Sequence, residues 1–401
     1  MSDATRDTRH ATRVRVTRDE IATFPRRLFL YNGAIRRSPF SLGPLLEDVP
    51  PPGYAYDCVD RSLLKSFYTR LFVAPIVKRL PDHVSANDIS LLSQACALVP
   101  VAVTIIGIFV APRWLLGIVA PLGYLGYIVF DNVDGAHARH TSTSSPLGEL
   151  VDHWCDAWNA ALLPTVWGIA WGARPILACT MGTITGLAYV VAVDEHRETG
   201  TLKLDAVGAG EAMTAMMLSM VAMGIVGRDA ALRAPLVAGL GVGDGLHLVC
   251  TVGSSGAIVA CLARRGLGGV VRAAPYIINA AGVLAWVALG LHPIVGAFIL
   301  AGLVAVTAGR TVLARTTGLP PSADGTSLLA VGLGLATTQI PPLAPAQLFI
   351  GIAVAAIVAF RACVDFVWGL RALRRWLRRD ELLGRLAPWL ATREDARTPL
   401  A

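Results

Sequence analysis

The stretch Asp131–Asp156, DNVDGAHARHTSTSSPLGELVDHWCD, carries four aspartates, at 131, 134, 152 and 156. The first pair is three residues apart and the second four, so each pair shares one face of a helix. The flanks are apolar, GIVAPLGYLGYIVF before and AWNAALLPTVWGIAWG after. They read as two membrane helices joined by a short polar turn around Thr141–Pro146. Carboxylates gathered at the facing ends of two antiparallel helices repel one another unless a cation holds them. Hard oxygen donors suit Mg²⁺ or Mn²⁺, which also accept waters and substrate phosphates as ligands. The stretch therefore reads as a divalent-metal site for phosphate chemistry.

Working outward, 54% of the 401 residues are hydrophobic and only 16% are charged. A soluble chain of this size could not hide so much apolar surface, so most of it belongs in lipid. The formal charge of +7 rests on arginine, since the lysines are Lys65, Lys78 and Lys203 alone. In a membrane chain that excess marks cytoplasmic helix ends and anionic headgroups, and no nucleic-acid partner is expected. Cys58, Cys96, Cys155, Cys179, Cys250, Cys261 and Cys363 are scattered without a CxxC pair and read as small reduced hydrophobes. Residues 1–20 are charged and lack the apolar core of a cleavable signal peptide.

The expected fold is all-α, a polytopic membrane protein of about ten transmembrane helices preceded by an interfacial amphipathic helix. Residues 1–53 read as a basic, partly disordered extension, and 54–90 as the interfacial helix and the approach to the first span. In that segment Leu63, Leu64, Phe67, Leu71, Phe72 and Ile76 recur at helical spacing among basic residues. Apolar segments follow at 91–111, 114–137, 153–172, 176–194, 207–227, 235–263, 274–291, 293–309, 326–340 and 346–370. Residues 91–230 read as the catalytic core, 231–370 as further membrane helices that supply a dimer interface, and 371–401 as a basic cytoplasmic tail. Loops on the side of the aspartate turn hold Arg139, Arg197, Lys203, Arg264, Arg265, Arg272, Arg310 and Arg315. The opposite side has Arg113, Arg174, Arg228 and Arg233, so the turn is expected to face the cytoplasm.

The spacing Asp131-x2-Asp134-Gly135-x2-Ala138-Arg139-x8-Gly148-x3-Asp152-x3-Asp156 resembles, at all eight fixed positions, the signature of the CDP-alcohol phosphotransferase family. The wording SSPLGELVDHWCD resembles its choline/ethanolamine phosphotransferase branch, as does HRETGTLKLDAVGAGEA at 196–212. The resemblance covers roughly 54–370 and is strongest at 54–212. It implies transfer of phosphocholine, phosphoethanolamine or a related phospho-alcohol from a CDP-alcohol to the hydroxyl of diacylglycerol, with CMP leaving. It further implies ten helices, Mg²⁺ or Mn²⁺ (two ions), and a homodimer in the lipid bilayer. The location is the bacterial inner membrane for a prokaryote and the ER or Golgi for a eukaryote. A CDP-diacylglycerol-dependent transfer to a small alcohol is the alternative within this chemistry, and a secondary transporter the alternative outside it.

By this resemblance Asp131, Asp134, Asp152 and Asp156 are the metal ligands. Asn87, Gly135, Ala138 and Arg139 serve the nucleotide and its phosphates. Asn87 stands in Ala86-Asn87-Asp88-Ile89-Ser90, where relatives have Pro-Asn-x-Ile-Thr, and a helix cap is the rival reading. Glu149 and His153, four apart on one helical face, are expected to act as an orienting carboxylate and a general base, with Asp156 the other candidate for the base. His137 and His140 are expected to face headgroups. Gly239–Gly245 reads as close helix packing rather than a phosphate loop. Asp244, His247, Arg361 and Asp365 read as polar groups turned to the bundle interior, and Glu211 as lining a substrate entrance.

Overall fold

The computed structural model describes residues 57–109, 114–141, 143–227, 235–237, 240–317 and 324–394. The basic extension 1–53 lies outside them. Strand β1 (Asp57–Asp60) leads into α1, which runs through Lys65–Tyr68, a π-turn at Thr69–Val73, and Ala74–Val77. Next come α2 (Ala86–Phe109), α3 (Ala120–His140, entered through a π-turn at Leu115–Val119), α4 (Pro146–Ala170) and α5 (Pro175–Thr199). Strand β2 (Thr201–Leu204) precedes α6 (Ala209–Val226), and a short hairpin, β3 (Pro235–Val237) with β4 (Leu240–Gly241), precedes α7 (Val242–Arg265). The chain closes with α8 (Gly268–Arg272), α9 (Ala274–Ala288), α10 (Pro293–Thr317), α11 (Gly325–Ala336) and α12 (Gln347–Glu394).

Each of the ten apolar segments falls on one of these helices. Among the described residues, seven helices are long and apolar enough to cross a membrane, namely α2, α3, α5, α6, α7, α10 and α12. At 25 residues α4 has the length, but its first half carries Glu149, Asp152, His153, Asp156 and Asn159. The helices α9 and α11, at 15 and 12 residues, are short. The chain is thus an all-α polytopic membrane protein.

Two local expectations are corrected. The interfacial segment does not begin helical: β1 pairs in parallel with β2, Asp57 opposite Thr201 through Asp60 opposite Leu204. Glu211 clamps this pairing, because it accepts from Ser62 Oγ (2.6 Å), Leu64 N (3.0 Å) and Gly208 N (2.9 Å). Leu63, just before α1, and Phe67 and Leu71 within it turn outward, and α1 buries Tyr68 and Val73. The segment from 235 likewise opens as a hairpin, and its helix starts only at Val242. There Gly243 packs on the backbone of Trp171, which matches the packing reading of that glycine-rich stretch.

The bundle is arranged around α10, whose apolar window is 89% buried against 11% for α7. It packs on α4, α5, α9 and α12. On the other side of α4, α2 lies along both α3 and α4. A Cβ on Gly123 of α3 would sit 2.8 Å from Val99 Cβ of α2, so glycine permits the approach that brings the two helix ends together.

The basic residues assigned to loops are largely engaged with acids. Arg264 and Lys203 reach Glu195 at 2.8 and 3.0 Å, and Arg272, Arg197 and Arg265 reach Asp194 at 2.8, 3.0 and 3.3 Å. These pairs tie the end of α5 to β2, α7 and α8. Arg310 and Arg315 lie within α10 rather than in a loop. Arg310 bonds Asp365 at 2.7 Å, and Arg361 bonds the same carboxylate at 2.8 Å, so Arg361 and Asp365 are buried in the bundle as a pair. Asp244 takes Arg174, and His247 stacks on Trp167 at 4.8 Å. Buried polar groups in lipid need such partners.

Candidate active site

The site forms where α3 ends and α4 begins. Ser145 caps α4 by accepting from Gly148 N at 3.1 Å, and Pro146 takes the first helical position, where its missing N–H costs nothing. Helix phase then sets Glu149, Asp152, His153 and Asp156 over two turns. On α3, Asp131 and Asp134 stand in the last three turns before His140.

The four aspartates come together. The Asp131 and Asp156 carboxyls are within hydrogen-bonding reach, and Asp152 and Asp134 interact electrostatically with both. Ligand atoms of Asp152, His153 and Asp156 lie within 4.8 Å of one another. Two of the carboxylates are held from outside the motif. Ser90 Oγ of α2 donates to Asp134 at 2.5 Å, and the Tyr127 hydroxyl donates to Asp156 at 2.8 Å. Like charges gathered in a half-buried corner favour a cation among them, and their oxygen donors fit Mg²⁺ or Mn²⁺.

Tyr127 and Ser90 orient the Asp156 and Asp134 carboxylates, and partners of this kind matter for the affinity of a metal held by such groups. Tyr127→Phe is expected to weaken Mn²⁺ binding by about 10- to 100-fold, read from the electron paramagnetic resonance signal of free Mn²⁺. An unchanged titration would mean that Asp156 needs no help from the hydroxyl.

The nucleotide candidates lie at the same end. Ser85 Oγ accepts from Asn87 N at 3.2 Å, so Ser85 supplies the cap of α2 and the side chain of Asn87 is not the capping group. Its Oδ1 lies instead 3.4 Å from where a Cβ on Gly148 would be, which sets Asn87 over the start of α4. Arg139 is exposed and folds back over Gly135, and Ala138 is half-buried. His140 is exposed as expected. His137 is not: it is fully buried and bonds the Val84 carbonyl through Nε2 at 2.9 Å, fixing the approach to α2.

Glu149 and His153 are both buried, beside a third group the sequence does not single out. His196, at the end of α5, is fully buried, and its ring meets that of His153 edge-on at 6.0 Å. Ligand atoms of Glu149, His153 and His196 lie within 4.8 Å of one another. The backbone of His153 is held as well, since the Tyr189 hydroxyl donates to its carbonyl at 2.8 Å. Glu149 is paired with Arg315 of α10, whose Nε donates at 2.7 Å and whose Nη2 donates to the other carboxylate oxygen. Trp154 turns away from this cluster and stacks on Phe366 at 4.2 Å. Ser90 could have been found by its place in the Asn87 motif. Tyr127 and Arg315 carry no motif signal, because each meets the site only through helix packing, whereas His196 opens the 196–212 stretch that carries the second resemblance.

Residues 83–242 match the CDP-alcohol phosphatidyltransferase family, and this part of the chain is a domain of that family. The chain is 32% identical over 189 residues to choline/ethanolaminephosphotransferase 1 of Arabidopsis thaliana, covering 44% of this chain and 46% of the relative. It is 28% identical over 188 residues to choline/ethanolaminephosphotransferase 1 of Saccharomyces cerevisiae, with the same coverage of 44% and 46%. Against ethanolaminephosphotransferase 1 of Homo sapiens it is 31% identical over 129 residues, 29% of this chain and 32% of the relative. The chain thus spans about half the length, or less, of the curated relatives it matches.

Proposed function

We propose that this chain transfers a phospho-alcohol, phosphocholine or phosphoethanolamine, from its CDP ester to the hydroxyl of diacylglycerol, releasing CMP. One observation carries the reading. The Asp131 and Asp134 carboxylates of α3 lie within electrostatic reach of Asp152 and Asp156 of α4, and the last two adjoin His153 of the buried Glu149–His153 pair, inside a CDP-alcohol phosphatidyltransferase domain. The names of the relatives favour choline and ethanolamine donors over CDP-diacylglycerol. A transporter reading fits less well, because the carboxylates stand on continuous helices rather than in broken ones.

In this reading Asp131, Asp134, Asp152 and Asp156 hold two Mg²⁺ or Mn²⁺ ions. When bound, such ions neutralise the diphosphate and the departing CMP. Asn87, Gly135 and Ala138 admit the nucleotide, and Arg139 offers its guanidinium to a phosphate. His153 takes the proton of the lipid hydroxyl as its oxygen attacks the β-phosphorus, and Glu149 orients the imidazole. The turn faces the cytoplasm, where water-soluble CDP-alcohols are available. Residues 54–90 lie at the membrane surface through Leu63, Phe67 and Leu71, and the working unit is a homodimer built through the helices after 231.

The test uses the full chain in detergent with diacylglycerol and Mg²⁺ or Mn²⁺, with CDP-choline and CDP-ethanolamine offered separately. CMP release that requires both diacylglycerol and the metal, and stops with EDTA, is the expected result, and the faster donor identifies the headgroup. Release only from CDP-diacylglycerol with a small alcohol would transfer the assignment to that reaction. Silence with every donor would end the phosphotransferase reading.

A further inference from the structure

Glu149 is the one acid of the α4 start that the four-aspartate cluster does not include, and it is the most deeply buried. Its side chain is 1% exposed and that of Arg315 10%. Arg315 engages both carboxylate oxygens, Nε on one and Nη2 on the other, in the two-pronged geometry that fixes a carboxylate in plane as well as in place. The arginine comes from α10, the central helix, which lies beyond residues 83–242. One turn along α4 from Glu149 stands His153, with Glu149, His153 and His196 in mutual reach.

The fork of Arg315 occupies both carboxylate oxygens, so neither is offered to a cation, and it holds Glu149 in a fixed orientation one helical turn from the imidazole.

We propose that Arg315 is a positioning residue for the transfer reaction: it locks Glu149 beside His153 and away from the metal-binding aspartates. The helices after the matched domain thereby complete the site rather than only surrounding it. This rests on the phosphotransferase reading above, and acts on its Glu149–His153 pair.

The experiment is a kinetic double-mutant cycle in the full chain. Wild type, Arg315→Gln, Glu149→Gln and the double variant are compared for kcat and for KM of CDP-choline and CDP-ethanolamine, with thermal midpoints recorded for each. Arg315→Gln is expected to lower kcat by about 10- to 100-fold, as loss of an outer orienting partner does, with KM moved less than about twofold. In the Glu149→Gln background the same change is expected to cost less than about twofold, because the arginine acts through the glutamate. Arg315→Lys keeps the charge and loses the fork, and its kcat is expected to fall between wild type and Arg315→Gln at an unchanged midpoint.

Should Arg315→Gln fail to fold, the lysine variant decides alone: a lower kcat with KM and midpoint held supports the role, and an unchanged kcat overturns it. Equal losses in both backgrounds, or a raised KM with kcat intact, would overturn it also. A wild type without CMP release from any donor removes the reaction itself and the proposal with it, which differs from an active wild type whose Arg315 variants stay active.

Discussion

Asp152→Ala is expected to leave a folded protein with CMP release reduced by about a thousandfold or more, the loss of several kcal/mol of charge stabilisation. Asp152 stands on α4 within 4.8 Å of ligand atoms of both His153 and Asp156, and interacts with Asp134 across the helix pair. It is the member of the set that links the two helices' carboxylates to the proposed base. The Asp134 and Asp156 carboxylates act on it as like charges, so alanine removes an unfavourable contact in the metal-free protein. The thermal midpoint without metal is therefore expected to hold or rise, while the rise on adding Mn²⁺ shrinks. An unchanged metal-induced shift would remove Asp152 from the ligand set, even if activity fell.

His153→Ala is expected to cut kcat by about 100- to 10,000-fold, the range for losing a general base, with little change in KM for the CDP-alcohol. The same side chain lies close enough to Asp152 and Asp156 to be a metal ligand instead, with Nδ1 3.8 Å from Asp152. Mn²⁺ affinity separates the two roles. A base can be removed with the affinity kept, whereas a ligand takes affinity with it. Retention of kcat in His153→Ala would move the base to Asp156, whose carboxyl is held by Tyr127.

The apolar segments were legible because apolar runs of that length have few other uses: each overlaps a helix, and seven helices among the described residues are long and apolar enough to cross a membrane. The aspartate pairs were legible because helical phase alone puts residues three and four apart on one face. Arg315 illustrates the opposite case. By its position after a long apolar run it counted as a topogenic loop arginine, yet it is buried against Glu149, 166 residues earlier. His137 went the same way: a histidine at the end of a membrane helix suggests the headgroup layer, but its ring nitrogen bonds the Val84 carbonyl. The strand at Asp57–Asp60 could not be anticipated, since it exists only by pairing with Thr201–Leu204, and four residues carry too little periodicity to declare themselves.

Local rules acting within one helix or one turn thus account for the membrane class, the two carboxylate pairs, the capped start of α4 and the Glu149–His153 spacing. The partners of those groups came from elsewhere. Ser90 on Asp134, His196 beside His153 and Arg315 on Glu149 depend on which helix faces which, and on the small residues that let helices approach. That choice belongs to packing: in lipid, helices associate through shape and polar partnership rather than apolar burial, and neither leaves a periodic mark on the sequence.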